Sequence, residues 1–65
     1  MENEIKVGSV VWHVEPTALF RGPGTVTALF REFDVDFATV LWQSSLVKFD
    51  HRVSSLMTLA EKEGK

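Results

Sequence analysis

The chain has 65 residues, 45% of them hydrophobic and 25% charged, with a net charge of −2 and no cysteine. This is one small domain, too apolar to be disordered and too short for a deep enclosed active site. Disulfide frameworks and thiolate metal centres are excluded.

Charge points away from nucleic acid. Residues 5–60 carry Lys6, Arg21, Arg31, Lys48 and Arg52 against Glu15, Glu32, Asp34, Asp36 and Asp50, so this body is formally neutral. Binding of a phosphate backbone relies on clustered cations, and these five are scattered. No stretch reaches the roughly 18 apolar residues of a membrane span. Met1-Glu2-Asn3-Glu4 has neither the basic nor the apolar block of a secretion signal, so a cytoplasmic protein is expected. Residues 1–4 and 61–65 are expected as disordered tails around a domain at 5–60.

In chain order, Ser9–Val14 is rich in β-branched residues and reads as a first strand, entered through Gly8. Glu15 to Gly24 reads as a long loop, because Pro16 removes a ladder donor and Gly22-Pro23-Gly24 is a strong turn signal. Thr25–Arg31 alternates as a second strand, with Val26, Ala28 and Phe30 on one face. A turn is placed near Asp34–Asp36. Phe37–Gln43 is the third strand, with Ala38, Val40 and Trp42 on one side, and Ser44-Ser45 ends it. Leu46–His51 is the fourth, with Val47 and Phe49 inward. Val53 to Leu59 reads as a short helical turn followed by a brief last strand. A helix over Val53–Lys62 competes, since apolar positions 53, 56, 57 and 60 fit helical spacing. The segment Thr-Ala-Leu-Phe-Arg occurs at 17–21 and again at 27–31. A hairpin about Pro23, with Ala18 opposite Ala28 and Phe20 opposite Val26, is one reading of this echo; coincidence is the other.

Short strands, frequent turns and no long helix give an all-β class. Val7-Gly8-Ser9-Val10-Val11-Trp12-His13, then Gly22-Pro23-Gly24-Thr25-Val26, then Ala38-Thr39-Val40-Leu41-Trp42 resembles the SH3-like or Tudor-like small β-barrels. The nearest of these are the C-terminal domains of UvrD/PcrA-type helicases and the RNA-polymerase-interacting domains of CarD-type proteins and transcription-repair coupling factor. Ser9 stands where those domains carry aspartate, and the loop from His13 to Gly22 is longer than in the helicases. The resemblance implies an SH3-like barrel of about five antiparallel strands, with a long first loop and a short helical turn before the last strand. It also implies a non-catalytic, cofactor-free accessory module that docks on transcription or replication machinery such as RNA polymerase.

Six residues are candidates for a protein-binding surface. Trp12 shares a strand face with Val10 and Val14, opposite Val11, so it is expected at least partly outside. Leu19, Phe20 and Arg21 place apolar bulk in the first loop, either as a recognition element or as a plug for the barrel end. Phe37 and Leu41 lie on the second apolar face of strand three. That face is capped by Leu56, Met57 and Leu59, or else meets a partner or a second copy of the chain in a homodimer. His13 and His51 read as structural; with Glu15 they offer too few ligands for a metal site. Nucleic-acid binding through Arg21, Arg31, Lys48 and Arg52 is the alternative function. An oligomeric enzyme of the type II dihydrofolate reductase kind is a further one, on a slight similarity at Leu46-Val47-Lys48-Phe49 with Val53.

Overall fold

The computed structural model describes residues 5–63; the expected tail at 1–4 and the last two residues lie outside that range. Five strands form one antiparallel sheet: β1 (Val10–His13), β2 (Gly24–Glu32), β3 (Val35–Trp42), β4 (Val47–Arg52) and β5 (Leu56–Thr58). Their order across the sheet is β4-β3-β2-β1-β5. A single 3₁₀ turn (Val53–Ser55) precedes β5, and a short helix α1 (Leu59–Glu63) follows it. The all-β class, the long first loop and the helical turn before the last strand are as the sequence indicates.

A single sheet has no second layer to cover it, so it must curl over its own apolar side. Val11, Val26, Ala38, Val40, Trp42 and Leu56, drawn from β1, β2, β3 and β5, form one buried cluster. Ile5, Phe20, Phe49 and Val53 pack at its margin. The predicted alternation of β3 holds throughout, with Ala38, Val40 and Trp42 all inside. Gly24 makes the closest approach to this core. A Cβ on it would overlap Val40 and lie 2.7 Å from the Trp42 ring, so β2 can cross there only as glycine.

The alternation expected for β2 fails at one residue. Val26 pairs with Val40, yet Ala28 pairs with Thr39, which leaves Thr27 as a bulge. One extra residue reverses the parity of everything after it. Val26 is therefore inside, Ala28 is exposed, and Phe30 stacks on Phe37 of the outer face with ring centroids 5.3 Å apart. The 17–21 echo is not a hairpin strand. β2 takes β1 and β3 as its neighbours, while Thr17 to Phe20 forms a tight turn closed by the Phe20 N–H donating to the Thr17 carbonyl at 3.2 Å.

Three smaller expectations also change. On β4, Phe49 is half-buried and Val47 is exposed, while His51 takes the deep inward position opposite Ala38. The C-terminal segment combines both readings: the 3₁₀ turn and short strand occupy 53–58, and the competing helix survives only as α1 at Leu59–Glu63. Thr58 and Glu61 form a capping box, each backbone N–H donating to the other's side chain at 2.9 and 3.3 Å, and residues 61–63 of the expected tail continue in this helix. Nor does this segment cap β3: Leu56 enters the core and Leu59 is exposed.

The β2–β3 turn is tighter than the expected Asp34–Asp36, consisting of Phe33 and Asp34 alone with φ of 51° and 63°. A two-residue hairpin turn with both φ positive suits Asn-Gly; a phenylalanine there is strained, and Phe33 is 96% exposed. Phe33→Asn is expected to stabilise the fold by about 1 kcal/mol. Urea unfolding checks this, and an unchanged or lowered midpoint would show that Phe33 is held by contacts within the chain.

Candidate functional site

The first loop and the two histidines build one end of the domain. Phe20 reaches back over the core rim and lies among four rings, with centroids 5.2 Å from His13, 4.6 Å from His51, 5.1 Å from Phe49 and 5.6 Å from Trp42. The loop is tied down nearby: Ser45 Oγ donates to the Leu19 carbonyl at 3.0 Å, and the Gln43 N–H donates to the Pro23 carbonyl at 3.2 Å. Of the two roles open to this loop, Phe20 performs the plug.

Beneath the plug the polar atoms are paired. Trp42 Nε1–H donates to His51 Nε2 at 3.0 Å, and the Glu15 N–H donates to His13 Nδ1 at 2.9 Å. The two imidazoles meet edge to face with centroids 5.0 Å apart. Burial, then the nearby His13, hold the His51 imidazole below its ordinary value, while Asp50 pulls the other way. No group of three or more His, Cys, Asp or Glu side chains among the described residues is arranged to hold a metal ion.

The outer side of the sheet is a separate surface. Val10 pairs with Thr25, Thr25 with Leu41, and Leu41 with Lys48, so these four form one cross-strand row. Trp12 stands two residues beyond Val10 on the same face of β1 and pairs with Met57 of β5. It is half-buried, with Lys62 Nζ 5.6 Å above its ring centroid. A groove of about 210 Å³ runs along it, lined by Trp12, Val14, Pro16, Phe20 and Met57 among others. Trp12 and Leu41 thus share one outer band by strand alternation, and Leu19 and Arg21 are exposed on the first loop.

Phe37 does not join them. It lines a larger groove of about 520 Å³ near the turn end of the β2–β3 hairpin, with Ile5, Leu29, Phe30 and Val53. Sequence reasoning passed over this second groove, and the exposed Phe33 at its hairpin tip. The Thr27 bulge that brings Phe30 beside Phe37 leaves no mark in the residue pattern.

The four cations do not converge. Arg31 pairs with Asp36 at 3.5 Å and by strand alternation belongs to the opposite side from Lys48 and Arg52, whereas Arg21 sits in the first loop. No helix among the described residues is long and apolar enough to cross a membrane. Comparison with family models, with curated proteins and with solved structures returned no match.

Proposed function

We propose that this chain is a non-catalytic protein-interaction module that grips its partner through the outer band of Trp12, Val10 and Leu41, flanked by Leu19 and Arg21 of the first loop. The observation that supports this is a division of labour between the two sides of the sheet. The core is complete with Val11, Val26, Ala38, Val40, Trp42 and Leu56, yet large apolar side chains remain outside it. Trp12 is the strongest candidate anchor, because tryptophan is enriched among interface hot spots. Phe20 supports the band from behind as part of the fold, and Phe37 belongs to a second apolar patch.

The resemblance to helicase and CarD-type barrels suggests a partner in transcription or replication, RNA polymerase first among them, met inside the cell. Neutral charge over the body, with cations on different sides, favours a protein over a nucleic acid. The test is affinity capture with the wild-type chain beside Trp12→Thr, which keeps a good strand former at the site. The variant is expected to fold and to lose its principal partner. Equal capture by a folded variant would exclude Trp12 from the interface.

A further inference from the structure

Both histidines under the Phe20 plug are held as acceptors. Tryptophan can only donate, so His51 Nε2 must present a lone pair to Trp42 Nε1–H, and the His51 proton sits on Nδ1. By the same reasoning His13 Nδ1 accepts the Glu15 amide, and its proton sits on Nε2. We propose that His51 is the proton-operated latch on the first loop: its protonation releases Phe20 from the core rim and thereby regulates the docking face beside it. Only the regulatory consequence rests on the docking reading above; the latch itself is a property of the isolated chain.

Protonating His51 would turn Nε2 into a donor facing another donor 3.0 Å away. The His13 ring stands against that of His51 edge to face, with the centroids only 5.0 Å apart. Phe20 contacts both rings, stacked on one and edge-on to the other, so it is the side chain that their reorientation would displace.

Among the neighbouring groups, His13 on β1 opposes a proton on His51, and Asp50 on β4 favours one. Glu15 and Arg21 lie in the first loop, and Arg52 follows His51 on β4. The core-facing residues of β2, β3 and β5 (Val26, Ala38, Val40, Trp42, Leu56 and Thr58) carry no charge. No buried carboxylate among the described residues is therefore placed to stabilise a charged His51. Because the folded chain holds His51 below its ordinary 6.5, the stability contributed by its neutral form is complete above that value. It is lost as pH falls through the lower, folded value. Acid is the unlatching direction.

The experiment is an NMR titration of the full chain between about pH 8 and pH 5, the range in which histidine switches. At the alkaline end His51 is expected as the Nδ1–H tautomer and His13 as the Nε2–H tautomer. On acidification the Phe20–His51 ring contacts should vanish, and exchange of the Glu15 amide should rise at least about tenfold, while the β2–β3 ladder stays protected. In His51→Gln the amide oxygen can still accept from Trp42 without titrating, so the loop should stay closed throughout. His13→Gln, which removes the opposing charge, should move the His51 midpoint to higher pH. Ring contacts that persist to the acid end in the wild type would overturn the latch, as would loop opening at the same pH in His51→Gln. Should that variant fail to fold, an unmoved midpoint in His13→Gln would overturn it. None of these readouts involves a partner, so a failed capture experiment leaves them intact.

Discussion

Trp42→Ala is expected to leave the chain largely unfolded at room temperature. Trp42 is completely buried and is the largest side chain that is. It packs over Gly24, touches Phe20, and supplies the N–H that His51 accepts. Truncating a buried aromatic costs about 3–5 kcal/mol, and the orphaned His51 nitrogen adds to this. A 65-residue domain at roughly 0.05–0.15 kcal/mol per residue has only about 3–10 kcal/mol to lose. Circular dichroism and amide dispersion would show the collapse. A cooperative transition near the wild-type midpoint would mean that Trp42 is not the keystone of this core.

Phe20→Ala is expected to be the next most damaging change, although Phe20 belongs to a loop. Its ring meets His13, His51, Phe49 and Trp42 within 5.6 Å. Because the site is only half-buried, the loss should fall near or below the lower end of the range for buried aromatics, about 2–3 kcal/mol. Hydrogen exchange gives the sharper signature. The Phe20 and Glu15 amides should lose protection before the ladder of β2 and β3 does. Uniform acceleration of all amides would instead make the loop inseparable from the sheet. No change at all would mean that Phe20 does not plug the core.

The parts of this fold that were legible in the sequence are those where a pattern acts locally. On β3 no bulge intervenes, so Ala38, Val40 and Trp42 fall inside as strict alternation requires. Gly22-Pro23-Gly24 marks the end of the first loop correctly, and Val11 opposite Trp12 separates core from surface on β1. What escaped depends on distant partners or on residues of unfavourable type. Thr27 is an ordinary strand residue, and nothing in it announces the bulge that turns Phe30 outward. His51 reads as a polar residue near a strand end, since its place in the core depends on a hydrogen bond from Trp42, nine residues away. Phe33-Asp34 lacks the glycine and asparagine that advertise such a turn.

The candidate site was half legible for the same reason. The partial exposure of Trp12 followed from parity, but the groove around Phe37 depends on Phe30, which the bulge turns to the outer face. The helical spacing of the apolar C-terminal residues was a readable sign of α1, and the Thr58-x-x-Glu61 spacing marks where it starts; this helix carries Lys62 over Trp12.

Trp12 works at the surface while Trp42 and Phe20 work in the fold. The most direct test of this division is the ratio of dissociation constants of wild type and Trp12→Thr for the captured partner, measured on samples that both retain a native amide spectrum. A weakening of about thirtyfold is expected, corresponding to the roughly 2 kcal/mol of an interface anchor. Equal affinities would contradict it.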